Sequence, residues 1–549
     1  MAYPFDLGGW SRPVATRSKE AQVWFDRGIN WTYGYNQEEA VACFRRAIEA
    51  DPDCAMAWWG VAYANGPFYN RPWIRFTDAE IDAVLPTCVE AAAEAARRVG
   101  DDPVERALAE AIPLRYPEAG LRDRDVLNGC HRAFAEAMLS ARAAHPADLD
   151  LAALAAEAAI TATPRQLWDL STGAPKEGAM TEAALAVLND ALARADATGV
   201  IHPGLLHIHI HALEMSPEPE AARGSADRLR GLVRDAGHLE HMAAHIDVLC
   251  GDYAAAVDQS LKAIAADDRY LAEAGPVNFY TTARCHDFHL LMYAAMFLGR
   301  FDLAIHAADR IRDEATPELI AASPPYMASI LDGYAAMRTH VLVRFGRWRE
   351  LIEEPPPAEP AKTPILAALR HYGAGVAHAA MDNPRAATKA LAAYRAAASS
   401  IPEEAIFLSN PVRTMLAVGE AMLEGELAFR DGRREAAFEA LRTAVARDDA
   451  LNFTEPWAWM HPPRHALAAL LAEDGRLDEA ETELRADLGL DDTLPRPCRH
   501  PDNIWALTGL AECMRARNAA AASEVVGKLE MARKLADDDI VSACACRRA

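Results

Sequence analysis

Residues 24–52, WFDRGINWTYGYNQEEAVACFRRAIEADP, decide the fold. Trp24, Gly28 and Trp31 fall three or four apart, as do Ala40, Phe44 and Ala47, before Pro52 closes the stretch. Residues at that spacing share one face of a helix, so the stretch reads as two helices joined by a turn. Glycine or alanine where the helices cross lets their backbones approach, and the aromatic places fill the gap to a neighbouring pair. One pair alone cannot hide its apolar face. The pattern therefore predicts more pairs stacked along the chain.

Further copies show as a turn glycine followed by a small residue. They are Gly251-Asp252-Tyr253 with Ala256, Gly299-Arg300-Phe301 with Ala304, Gly432-Arg433-Arg434 with Ala437, and Gly475-Arg476-Leu477 with Ala480. Gly425 with Ala437, and Trp505 and Gly509 with Ala521, add two registers. The spacing resembles the tetratricopeptide repeat, of about 34 residues, with Arg27 where leucine is usual. The expected fold is all-α: a tetratricopeptide-repeat-like helical solenoid (superhelix) of about nine or ten helix pairs. Strand signals are nearly absent. The resemblance implies that the first helix of each pair lines a concave groove, with its second, fifth, ninth and twelfth places pointing inward.

Laid on that ruler, the histidines between Pro203 and Ala294 fall into register. In the unit starting at Pro203, His207, His211 and Glu214 take the fifth, ninth and twelfth places. In the unit starting at Gly237, His238, His241 and His245 take the second, fifth and ninth; in the one starting at Cys285, His286 and His289 take the second and fifth. His209 lies on the opposite side of its helix and is assigned to packing or solvent. Glu157 and His340 occupy ninth places in other units and are additional candidate ligands or proton shuttles.

The runs His202-Pro-Gly-x-x-His207-x-x-x-His211-Ala-x-Glu214, Gly237-His238-Leu-x-His241-Met-x-x-His245-Ile and His286-x-x-His289 resemble a group of large bacterial tetratricopeptide-repeat proteins with histidine-rich motifs. The resemblance covers most of the chain. It implies fold and motif placement and brings no reaction with it.

Why the stripe points to metal is a matter of unsatisfied chemistry. Each buried imidazole needs partners for two nitrogens, and seven clustered together would repel one another on protonation. A cation removes both problems, and imidazole-rich sites suit copper, iron, zinc or nickel rather than magnesium or calcium. Eight candidate ligands exceed the set of one ion, so two ions, or one ion with an outer shell, are expected. Copper or iron is favoured and zinc is the alternative. His241-Met-Ala-Ala-His245 lacks the glutamate that follows the first histidine in zinc proteases.

Composition limits the partners. Hydrophobic residues make up 51% and charged residues 25% of 549 residues, as in a soluble globular protein. A net charge of −24 argues against nucleic acid or an anionic membrane surface. Met1-Ala2-Tyr3-Pro4-Phe5-Asp6 lacks the basic start and apolar run of a secretory signal, so a cytoplasmic location is expected. The ten cysteines read as reduced core residues, with Cys544 and Cys546 on a frayed terminus.

Along the chain we expect an N-terminal segment (1–20) and N-terminal repeats with an aromatic loop at Gly66 to Trp73 (21–160). Histidine-rich repeats forming the metal site (161–320) and repeats with a proline-rich connection (321–400) follow, then C-terminal repeats (401–535) and a tail (536–549). The functional expectation is a transition-metal-dependent oxidoreductase acting on a small molecule, with dioxygen as a candidate co-substrate and Glu214 as ligand or base. A zinc hydrolase is the second reading. A peptide- or protein-binding scaffold stiffened by metal is the third.

Overall fold

The computed structural model describes residues 3–517 and 523–547. Twenty-six α-helices run through them, and consecutive helices pack as pairs. The strand pairing among the described residues is one two-residue ladder, Ile406–Phe407 with Asn410–Pro411. The chain is therefore an all-α, tetratricopeptide-like repeat protein. Two compact units divide it, Met1–Ile246 with Lys262–Tyr280 and Asp247–Leu261 with Thr281–Ala549, so segment 161–320 contributes to both.

In the first unit, Lys19–Tyr33 and Gln37–Ala50 form the pair read from residues 24–52. Ser18 and Asn36 cap them by accepting the Ala21 and Glu39 N–H groups. A Cβ on Gly28 would lie 2.5 Å from the Phe44 ring, and one on Gly60 of the next helix 2.6 Å from it. Phe44 is fully buried there. Glycine at both places is a steric requirement of the wedge they hold.

Buried Arg115 ties the following loop down. Its guanidinium donates to the carbonyls of Tyr63 and Pro67, and its Nε donates to His131 Nδ1 at 3.2 Å. His131 Nε2–H then donates to the Ala158 carbonyl at 3.0 Å, and burial pushes the imidazole down to about 3. The segment between helices Leu149–Thr161 and Thr181–Thr198 is anchored by the Trp168 indole, which donates to the Ala212 carbonyl at 2.8 Å.

In the second unit the turn glycines are where the sequence pattern places them. Gly251, Gly299, Gly432 and Gly475 have φ of 80°, 75°, 78° and 82°, a left-handed conformation that ends one helix and starts the next. Gly346, at 64°, is a further such turn that the pattern reading passed over. Gly425 lies against the helix of Ala437, its expected partner: a Cβ there would come 3.2 Å from the Ala437 carbonyl and 2.6 Å from the Leu441 side chain. Ala521, expected to pair with Trp505 and Gly509, lies outside the described residues, as do Met1, Ala2, Arg548 and Ala549.

Two expectations about the tail are corrected. Ile540, Ala543 and Cys546 are buried, Asp537 accepts the Phe301 N–H at 2.6 Å, and Asp538 pairs with Arg347 at 2.8 Å. Residues 537–546 are thus docked on helix turns of the second unit rather than frayed. Cys544 and Cys546 are joined as a disulfide, so the reading of ten reduced cysteines fails at that pair. No described helix is long and apolar enough to cross a membrane.

Candidate metal centre

Two helices carry six of the eight expected ligands. Pro203–Leu213 bears His207 and His211 with Glu214 at its C-cap, and Gly237–Leu249 bears His238, His241 and His245. The Pro-Gly of the first motif has a local reason. His202 caps the helix by accepting the Leu205 N–H at 3.1 Å, Pro203 takes the first turn, and a Cβ on Gly204 would strike the Tyr33 ring at 2.6 Å. That close approach brings the end of Lys19–Tyr33 against the histidine helix.

The side chains converge. His207, His211 and His238 are buried, with ligand atoms all within 4.8 Å of one another. His207 Nε2 and His238 Nε2 face each other at 3.2 Å. Metal–nitrogen bonds of ~2.0–2.1 Å in a tetrahedron would set nitrogens about 3.3–3.4 Å apart, so this pair has the separation of two ligands on one ion. His211 Nε2, fully buried, has no hydrogen-bond partner. Beside this trio His241 Nε2 and His245 Nε2 lie 2.6 Å apart.

Glu214 links the two groups. Its Oε1 accepts His211 Nδ1–H at 2.8 Å and its Oε2 accepts His245 Nδ1–H at 2.6 Å. Of the places the sequence left open, ligand or base, the geometry selects neither directly: the carboxylate engages ring nitrogens and leaves both Nε2 atoms pointing away from it. Burial alone would raise the Glu214 pKa, but His211 and His245 hold it well below the usual carboxylate range. Burial pushes His211 down to about 4, and burial with the neighbouring imidazoles holds His207 and His238 well below their ordinary value. Neutral imidazoles beside an ionised carboxylate are a donor set for a cation.

Aromatic residues from other segments complete the wall. The Tyr35 ring lies 4.5 Å from His207 and stacks on His238 at 5.2 Å, and the Tyr69 ring lies 4.8 Å from His211. Arg165 Nη1 stands 3.6 Å from Glu214 Oε1. None of these three belongs to the histidine ruler. Only the aromatic loop containing Tyr69 carried any sequence signal.

The remaining candidates fall elsewhere. Glu157 accepts from the Tyr63 hydroxyl, the Tyr69 N–H and the Thr161 hydroxyl, and so braces the loop behind the site. His209 is a packing residue, as expected, with Nδ1 2.9 Å from the Ser225 hydroxyl. His286 and His289 lie on Thr281–Leu298 in the second unit, where His289 is fully buried, unpartnered at both nitrogens and pushed down to about 3 by burial. His340 also belongs to that unit, with Nδ1 3.1 Å from His461 Nδ1. His465 and Arg464 are engaged within the same unit. His465 Nε2–H donates to Asp487 at 2.7 Å, and Arg464 pairs with Asp449 and with Glu483.

No protein-family model and no curated protein matches the sequence. Among solved structures, a human IFIT1 dimer with m7Gppp-AAAA is 12% identical with a TM-score of 0.32, over 96% of this chain and 92% of that one. Ypp1 is 8% identical with a TM-score of 0.45, over 96% and 82%. Yeast Tom70 is 15% identical with a TM-score of 0.30, over 93% and 99%. At those values the likenesses carry no argument about what this chain binds or does.

Proposed function

We propose that the first unit is a metal-dependent enzyme acting on a small molecule, and that it is an oxidoreductase. The observation that carries this is the convergence of His207, His211 and His238 on one point with Glu214 fixed behind them. Three imidazoles on an ion leave a position for substrate, the arrangement of catalytic rather than structural sites. Copper or iron held there would supply electron transfer to substrate or dioxygen. The chain's own part is to fix ring orientation through Glu214, exclude water with Tyr35 and Tyr69, and balance charge with Arg165.

His241 and His245 offer nitrogens for a second ion. Zinc hydrolysis is the second reading, favoured by the three-imidazole set itself. Against a dizinc version, Glu214 is the one carboxylate among the eight expected ligands, and each of its oxygens already accepts a ring N–H. A peptide-binding scaffold with structural metal is the third, and it leaves the unpartnered His211 Nε2 without a purpose beyond stiffening. We also infer kinship with the large bacterial repeat proteins sharing these histidine motifs, and a cytoplasmic place of action.

Oxygen uptake decides between the first two readings. Copper- or iron-loaded protein supplied with a reductant should consume dioxygen, and the His207→Ala/His238→Ala variant should not. A native protein that carries zinc and cleaves esters or phosphoesters without oxygen uptake would overturn the oxidoreductase.

A further inference from the structure

We propose that Cys544 and Cys546 form a redox-active dithiol/disulfide couple, which takes two electrons from a low-molecular-weight dithiol at a cleft of the second unit. The site belongs to that unit alone, so it stands or falls apart from the metal reading. Both cysteines line the cleft, together with Trp348, Tyr372, Val376 and Met422. Cys544 is half-buried there and Cys546 is buried.

The bond staples nothing. It joins residues two apart in sequence, and the tail is anchored without it. A Cβ on Gly509 would lie 2.7 Å from Ala543, and one on Gly346 3.0 Å from Ala545, so both alanines sit tightly on those glycines. The Arg430 guanidinium donates to the Cys546 carbonyl, and Asp538 pairs with Arg347. Opening the bond leaves each of these contacts in place. In the chain-entropy view the stabilisation from a disulfide grows with the loop it closes, and this loop is among the shortest a disulfide can close. The other eight cysteines are free.

The sulfurs are set for exchange. The Cys546 N–H donates to Cys544 Sγ at 3.2 Å, a bond that strengthens when that sulfur carries charge. A thiolate arriving from solvent meets the half-buried Cys544 first. It forms a mixed disulfide there, and the electron pair of the broken bond leaves on Cys546 Sγ. A second thiolate then attacks the sulfur that entered, releases Cys544 as a thiolate onto the Cys546 N–H, and closes the reductant's own disulfide. The two protons that the reductant loses end on the two cysteine sulfurs.

This order of events selects a dithiol. After the first step Cys546 stands two residues from the mixed disulfide and expels a single thiol by reversing the attack. A reductant whose second sulfur is tethered to the first outruns that return, because its attack is intramolecular.

The test uses full-length protein under native conditions. Dithiothreitol is the dithiol and glutathione disulfide the oxidant, and alkylation by iodoacetamide is read by mass spectrometry on the tail peptide. The expected result is that dithiothreitol opens the bond and, once it is removed, glutathione disulfide closes it again. The melting temperatures of the two states should agree within about 3 °C. At equal thiol concentration 2-mercaptoethanol should yield about tenfold less of the reduced pair. A bond that opens only in denaturant, a pair that stays reduced under glutathione disulfide, or equal reduction by the two thiols overturns the inference. So does a larger drop in melting temperature on reduction, which would make the bond a staple. For the order of attack, glutathione disulfide should modify Cys544 in Cys546→Ser about tenfold faster than Cys546 in Cys544→Ser, since burial shields the second sulfur. Equal rates would overturn Cys544 as the sulfur attacked.

Discussion

Glu214 and His245 meet at 2.6 Å, carboxylate Oε2 on imidazole Nδ1, across two different helices. The same carboxylate holds His211 through its other oxygen. One side chain thus sets the tautomer of an imidazole on each helix and presents both Nε2 atoms as electron-pair donors.

Glu214→Gln tests that role. An amide offers one acceptor, so one of the two rings loses its partner and its orientation. Metal affinity should fall ~10–100-fold, as it does when outer carboxylates are removed from histidine sites. Competition with a chromogenic chelator measures it, and an unchanged dissociation constant would remove Glu214 from the account.

The contact between Gly28 and Phe44 predicts a coupled pair. Gly28→Ala pushes a methyl group into the ring and should cost about 1–3 kcal/mol, while Phe44→Ala should cost about 3–5 kcal/mol by leaving a cavity. In a Phe44→Leu background the cost of Gly28→Ala should shrink, because the two changes act on one space. Additive losses in denaturant unfolding would show that the methyl group clashes elsewhere.

His131 predicts a pH dependence. It is buried and neutral down to about 3, whereas an unfolded imidazole titrates near 6.5. The unfolded chain binds the proton first as pH falls. Stability from this residue is therefore whole above about 6.5 and drains as pH falls toward 3, by up to ~1.4 kcal/mol per pH unit. His131→Gln keeps a donor for the Ala158 carbonyl and an acceptor for Arg115 but takes up no proton. Its melting temperature should decline less than that of wild type between about pH 7 and pH 4; parallel declines would contradict the assignment.

The repeat architecture was legible because it rests on local chemistry. Small residues at helix crossings and glycines at left-handed turns are written at each position, as at Gly28, Gly299 and Gly475. The histidine cluster was legible for the same reason, since one helical period places His207 and His211, or His241 and His245, on one face. What could not be read is what arrives from afar. Tyr35 follows the first repeat helix, more than 150 residues before the histidines it covers, and nothing in its own neighbourhood marks it. Arg165 is equally silent, because its role depends on a left-handed backbone that the sequence around it does not announce. Glu214 was found but its role was not, since whether a carboxylate meets a metal or a ring nitrogen is a matter of ångströms. The docked tail was missed because Ile540 buries itself against the Gly299 turn and Ala543 against Gly509 of helix Ile504–Ala516, with no helical period to betray them.

The central claim is that His207, His211 and His238 hold a transition metal. Elemental analysis by plasma mass spectrometry on untagged full-length protein, beside His207→Ala/His238→Ala, tests it most directly. The account predicts near-stoichiometric copper or iron in the wild type and its loss in the folded double variant. Wild-type protein that holds no metal even after reconstitution, or a double variant that holds as much, would contradict it.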